Sequence, residues 1–332
     1  MSESTPTELG TKAVAGRIIG LDVARAFAVI GMVAANFKIT MGAETGDPAL
    51  RRRARGVLAK RALFLFVIGW AFFLVWPADI LHFYGVYLAI GTAVLFAPSR
   101  RLWGLAGIAV VVSLTFIVTF DPLANWDLIE YTYRGINTPA GFLRNLFFDG
   151  FHPVFPWVAF YLVGMWLGRT DLRDPAWRRT LAIRAAIVVV VTEVTAWIVV
   201  GPKGANLDQL DEQSWRWLFS VEPIPPMPTY LAAGAGTAIL VICGSIWLAD
   251  FLPQRVTEPL VYTGQLALSI YVAHVLVGMG ILDTMGRLEN QSLVWAVGTS
   301  AVFSAAAIAV SWVWRYRFRR GPLEALMRRH TA

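Results

Sequence analysis

Polar residues in this chain gather into short clusters that separate long apolar runs. Nine runs read as membrane spans, at residues 19–38, 62–77, 79–97, 102–120, 152–168, 182–200, 229–249, 259–282 and 293–313. A helix crosses a hydrocarbon layer of about 30 Å with about 20 residues. Backbone groups in lipid have to be satisfied internally, which only helices and closed barrels achieve, and these runs lack the alternation of barrel strands. The pattern therefore predicts an all-α polytopic bundle of about nine spans. It forms a single transmembrane domain over residues 17–314, between an N-terminal cytoplasmic tail at 1–16 and a basic cytoplasmic tail at 315–332.

The clusters between runs differ in sign. Arg51, Arg52, Arg53, Arg55, Lys60 and Arg61 precede the second run, and Arg100 and Arg101 join the third to the fourth. Arg169, Arg173, Arg178, Arg179 and Arg184 separate the fifth from the sixth, and Arg315, Arg317, Arg319, Arg320, Arg328 and Arg329 close the chain. The positive-inside rule makes these cytoplasmic. Residues 121–151 and 201–228 carry Asp121, Asp127, Glu130, Asp149, Asp208, Asp211, Glu212 and Glu222, and they read as extracytoplasmic. Trp76, Trp126, Trp157, Trp215 and Trp217 fall at or near that boundary, where amphipathic rings sit well. The first run breaks the alternation. Lys12 and Arg17 start it inside, so it should end outside, yet the next cluster is the most basic in the chain; one crossing is missing, and either the first helix is inverted or the chain lacks a helix before that cluster.

Composition sharpens this picture. The 332 residues are 57% hydrophobic and 15% charged, with a mean hydropathy of +0.57, outside the range of an ordinary soluble domain. The net charge of +7 sits at the ends of spans, which argues against a nucleic-acid partner. The single cysteine, Cys243, excludes disulfides and a cysteine-based metal cluster. Residues 1–16 lack the apolar core of a removable signal peptide, so the first run should stay as an uncleaved anchor. The chain carries no phosphate-cradling glycine loop, no HExxH and no GxSxG, and no metal is expected. Gly164, Gly168, Gly234 and Gly236 suit close helix packing.

Ionisable groups inside spans are costly and mark candidate sites. Asp22 and Arg25 lie three residues apart and can pair on one helix, with Asn36 nearly on the same face; they are either a substrate-binding set or a structural ion pair. His82 begins the third run, His152 the fifth, and His274 lies two thirds along the eighth, all in the outer half of the membrane, whereas His330 belongs to the tail. Histidine titrates near neutrality and serves as a general base when placed at a substrate. Three scattered interfacial histidines are the alternative. Asp79, three residues before His82, can meet the imidazole across one turn and fix its tautomer, or cap the helix that follows Pro77, and the two roles are compatible. Glu193, deep in the sixth run, needs a distant partner or a proton, and Gln265, Ser269 and Tyr271 make the eighth run polar enough to glue helices or line a cavity.

The run from Arg17 through Asp22, Arg25 and Met32 to Asn36 resembles the opening helix of the transmembrane acyltransferase superfamily, whose best-known member type is heparan-α-glucosaminide N-acetyltransferase. Asp79 to Gly85, His152 to Trp157 ending at Gly168 and Arg169, and Gly264 to Ser269 look like the bacterial branch called domain of unknown function 418. The likeness spans most of the chain. It implies a bacterial inner-membrane protein that carries an acyl group from cytoplasmic acyl-coenzyme A, as co-substrate, to an extracytoplasmic acceptor such as a sugar or cell-envelope glycan. On that reading His82 with Asp79, or else His152, is catalytic. Asp22, Arg25, Asn36 and His274 bind substrate, and cytoplasmic arginines hold the coenzyme phosphates. Membrane lipids are further partners, and a homo-oligomer is open. This chain departs from its relatives in three ways: no histidine between Lys38 and Asp47, Ala26 in place of a glycine, and one span fewer than expected. A transporter or lipid flippase using Asp22, Arg25 and Glu193 as a polar path is the competing reading, with a non-catalytic membrane protein the third.

Overall fold

A computed structural model describes residues 48–127, 132–201, 215–289 and 291–331. The first expected span and Asp22, Arg25 and Asn36 upon it lie outside the described residues. Among the described residues, six helices are long and apolar enough to cross a membrane, or seven if the bent pair Pro139–Asp149 and Val154–Leu167 counts as one span. Apart from the first expected span, which lies outside the described residues, the difference from the expected number has local causes. Residues 79–97 were expected to span, but their helix, Leu81–Ala93, has 13 residues, about 20 Å at the usual rise and too short for the hydrocarbon core. The fifth expected span is preceded by a second helical segment and bends from it by 47°. The chain is a multi-pass membrane protein. Its helices carry large apolar side chains on their outer faces, among them Val118 and Leu74 (each 83% exposed) and Val294 (82%), which lipid rather than water accommodates.

The described residues fall into two compact units, divided between Ser245 and Ile246. In the first unit, α1 (Pro48–Phe73) contains the basic segment at 51–61, which the charge pattern placed in a loop between spans. Its 26 residues reach about 39 Å, longer than the hydrocarbon, so a continuous helix holds the arginines beyond the apolar part. A short link leads to α2 (Leu81–Ala93), which returns antiparallel against α1. Two glycines allow the backbones to touch. A Cβ on Gly69 would stand 2.1 Å from the His82 nitrogen, and one on Gly85 would stand 2.7 Å from the Ala62 oxygen. Such close approach is how helices associate in lipid, where dispersion and not the hydrophobic effect drives packing.

The helix α2 is apolar all round and correspondingly buried, with Leu81, Phe83, Tyr84, Tyr87 and Leu88 all at most 2% exposed. Its other flank meets α5 (Val154–Leu167), which also packs on α3 (Ser99–Thr119). Between α3 and α5 lie a two-residue antiparallel ladder, β1 (Trp126–Asp127) with β2 (Thr132–Tyr133), then α4 (Pro139–Arg144) and a π turn at Asn145–Asp149. Asp174 and Pro175 start α6 (Pro175–Val199), the Asp174 carboxylate accepting the Ala176 N–H as an N-cap. On α7 (Pro228–Phe251), Gly234 lies against Phe160, and Gly236 against Ala185 and Val189 of α6, as their expected packing role requires.

The second unit contains α8 (Gln254–Gln265), α9 (Ala267–Ala273), a π turn at His274–Met279, α10 (Gly280–Thr284), α11 (Leu293–Arg317) and α12 (Pro322–Thr331). The last expected tail therefore includes a helix, and a carboxylate docks it. Glu324 accepts the Ser269 N–H at 3.0 Å and the Ser269 hydroxyl at 2.5 Å, while that hydroxyl accepts the Leu323 N–H at 3.1 Å. Ser269 lies in the first turn of α9, where a backbone N–H has no partner within its own helix and an anion is favoured. Gly321 makes room for the arrangement, since a Cβ there would lie 2.7 Å from the Ser269 hydroxyl.

Candidate functional site

The best-defined polar group within the first unit sits where α2 begins. Asp79 precedes the helix, and one of its oxygens, Oδ2, accepts both the His82 backbone N–H at 3.2 Å and the imidazole Nδ1–H at 3.0 Å. Both readings of Asp79 thus hold at once: the carboxylate satisfies an orphan N–H of the first helical turn and fixes the ring. With Nδ1 carrying the proton toward Asp79, Nε2 is left as the basic nitrogen. Both side chains are fully buried, and Nε2 has no hydrogen-bond partner among the described residues. An imidazole with one nitrogen held by a carboxylate and the other open to a proton is the arrangement of a general base.

Aromatic rings frame this imidazole. Trp70 and Phe73, stacked on each other at 5.3 Å on the last turn of α1, both meet it edge-on, at 5.8 Å and 5.4 Å between centroids. Phe142 of α4 stands edge-on to Trp70 at 5.0 Å, and Gly150 presses on Phe83, whose ring a Cβ would meet at 2.7 Å. Trp70, Phe73 and Phe142 were not singled out from the sequence. In a chain with 20 Phe and 14 Trp, aromatic residues at span ends carry no distinguishing signal. The signal available in retrospect is Gly69, whose missing side chain brings this turn of α1 onto His82.

His152 lies in the bend before α5 and is buried. Its backbone oxygen accepts the Tyr87 hydroxyl at 2.5 Å, and its ring meets Trp157 at 4.9 Å and Phe83 at 6.4 Å. Phe83 also borders His82, at 3.9 Å. The structure therefore brings both expected histidines to one phenylalanine in one buried layer, with no direct stacking of the two imidazoles among the ring pairs described. Of the aromatic residues expected nearby, Trp157 does flank His152, whereas Tyr84 turns toward Tyr87 and Tyr161. His274 belongs to the second unit, where its ring faces Tyr271 and Phe303 and Nδ1 lies against the Tyr271 carbonyl at the start of a π turn.

A clamp absent from the sequence reading holds the segment beside the site. The buried Asp149 carboxylate accepts the Tyr133 hydroxyl and the Arg144 Nε–H, each at 2.6 Å, and its backbone oxygen accepts the Trp126 indole N–H at 2.6 Å. Arg144 reaches on to the Asp121 carbonyl. Burial, then the bond to Asp149, pushes the Tyr133 phenol well above its ordinary value, so it stays a donor at any physiological pH. Asp121, Trp126, Tyr133, Arg144 and Asp149 together form a bracket within the stretch that the sequence offered as an extracytoplasmic loop. No group of three or more metal-binding side chains occurs among the described residues.

With this geometry in place, comparison with known proteins adds two matches. Residues 165–332 match the family model described as protein of unknown function (DUF418). Residues 78–201, which include Asp79, His82 and His152, match the model described as heparan-alpha-glucosaminide N-acetyltransferase, catalytic. Neither the curated proteins nor the solved structures contain a match.

Proposed function

The chain belongs to the family described as protein of unknown function, DUF418, and from that premise we propose that it is a membrane acyltransferase whose general base is His82, oriented by Asp79. One observation carries this reading: a fully buried imidazole with Nδ1 held by a carboxylate at 3.0 Å and Nε2 without a hydrogen-bond partner among the described residues, inside the stretch that matches a catalytic acetyltransferase model. His82 is preferred because its Nδ1 is held by the Asp79 carboxylate.

In the reaction, an acceptor hydroxyl or amine attacks the carbonyl carbon of an acyl thioester. Nε2 takes the proton of the nucleophile as the new C–O or C–N bond forms. The C–S bond then breaks, and His82 returns the proton to the departing thiolate, so the imidazole ends as it began. Asp79 favours the imidazolium that exists in between. The donor on this proposal is acyl-coenzyme A from the cytoplasm. The acceptor is a sugar or glycan of the cell envelope, and the chain sits in a bacterial inner membrane with its C-terminus inside. The basic clusters support that orientation.

Thermal unfolding of the purified protein with and without acetyl-coenzyme A tests the donor. A ligand that binds only the folded state stabilises it by about 2.7 kcal/mol at a hundredfold excess over its dissociation constant. A rise in unfolding temperature that saturates with the thioester is expected. An unchanged temperature up to millimolar thioester would count against this donor.

A further inference from the structure

At the opposite end of the α1–α2 pair from His82, two guanidinium groups share one aromatic ring. Arg51 and Arg55 stand one helical turn apart on α1, and their Cζ atoms lie 4.9 Å and 5.2 Å from the centre of Phe96, in the turn that follows α2. Like charges at this spacing repel, while the ring face attracts both. Both arginines are exposed, and neither guanidinium has a carboxylate or carbonyl partner among the described residues.

The surroundings add further arginines. Arg100 and Arg101, both exposed, follow Phe96 on α3. Arg169 reaches the same turn from beyond α5, donating to the Ala97 carbonyl at 2.6 Å and the Leu95 carbonyl at 2.9 Å. The two acidic residues that follow it, Asp171 and Asp174, accept the backbone N–H groups of Arg173 and Ala176. Three stretches of chain thus bring five arginines to one turn, a field that concentrates anions. Guanidinium forks match the oxygens of phosphate, and a ring that holds two of them at fixed spacing reduces the ordering that binding requires.

We infer that Arg51, Arg55 and Phe96 form a binding site for a phosphate ester at the membrane surface. The phosphate oxygens bridge the two guanidinium groups, which removes the repulsion between them, and Arg100 and Arg101 strengthen the local field. Such an ester arrives from either of two sources, the headgroup of an anionic lipid or a soluble phosphate. For a soluble ester the site deepens the acyl-transfer reading and rests on it, with the coenzyme as the ester; for a lipid headgroup it stands apart, because a chain inactive in catalysis would still carry it.

The experiment uses the full-length protein in nanodiscs and two arms. In one, nanodiscs of phosphatidylcholine contain a minority of phosphatidylglycerol, and native mass spectrometry counts the anionic lipid retained. In the other, nanodiscs of phosphatidylcholine alone are titrated calorimetrically with adenosine 3′,5′-bisphosphate. The double variant Arg51→Gln, Arg55→Gln is compared with Arg317→Gln, Arg320→Gln, which removes the same charge from exposed positions elsewhere. All four side chains are exposed, so unfolding temperatures should match the wild type. The site predicts that binding in at least one arm weakens roughly tenfold or more in the first variant and not in the second. Loss in the lipid arm identifies a headgroup, and loss in the nucleotide arm a soluble ester. Equal loss in both variants would reduce the effect to net charge, and unchanged or absent wild-type binding in both arms would remove the site; either result overturns the inference.

Discussion

The candidate chemistry rests on one oxygen. Asp79 Oδ2 serves a backbone N–H and an imidazole N–H together, so replacing the carboxylate with an amide changes charge more than shape. Asp79→Asn keeps an oxygen able to accept from both donors, but it no longer favours the imidazolium formed during transfer. The expected result is a fall in kcat of one or more powers of ten with KM nearly unchanged, because the lost interaction matters chiefly in the transition state. Steady-state kinetics with saturating donor reads this directly, and an unaltered kcat would remove Asp79 from the mechanism. This pair was legible in the sequence because three residues of separation at a helix start leave few arrangements. The neighbours of His82 were not. Trp70, Phe73 and Phe142 come from two distant segments, and nothing local distinguishes them from the other rings at span ends.

At the scale of elements, the α1–α2 pair decides where His82 stands. A methyl group at Gly69 would meet the His82 nitrogen, the Leu81 carbonyl carbon and the His82 Cα, all backbone atoms that cannot swing away. Gly69→Ala should therefore force the helices apart and lower stability by about 1–3 kcal/mol, the usual cost of overpacking. Gly104→Ala, with nothing within 4 Å of its Cβ, should be neutral or stabilising, since alanine favours a helix by up to about 1 kcal/mol over glycine. Unfolding temperatures of the two variants check the contrast, and equal values would contradict the packing described. Hydropathy placed most helices well, because a long apolar run in lipid has one solution. It erred where a helix is buried by protein instead of lipid. Thirteen residues of α2 suffice inside the fold, and the apolar residues that flank the helix made the span look longer than it is. It also read the arginines at 51–61 as a loop, because charge ends a span without ending a helix.

For the whole molecule, the α1–α2 pair joins two unlike ends. His82 and Asp79 lie at one, and Arg51, Arg55 and Phe96 at the other. The described residues of the 121–151 stretch, which the sequence offered as an acidic aromatic loop, fold onto the His82 end through Phe142 and Gly150 and are braced by Asp149. Long-range brackets of this kind are invisible to periodicity because their partners are separated by loop rather than by a turn of helix. On the proposed function, an acyl group passes from a donor on the arginine-rich side to an acceptor on the other, with His82 as base. Its most direct test is sided transfer in oriented proteoliposomes, with labelled acetyl-coenzyme A on the arginine-rich side only and an amino-sugar or glycan acceptor on the other. Labelled acceptor is expected with the wild type, at a rate about 10²–10⁴-fold lower with His82→Ala; equal rates for the two proteins would remove His82 from the reaction.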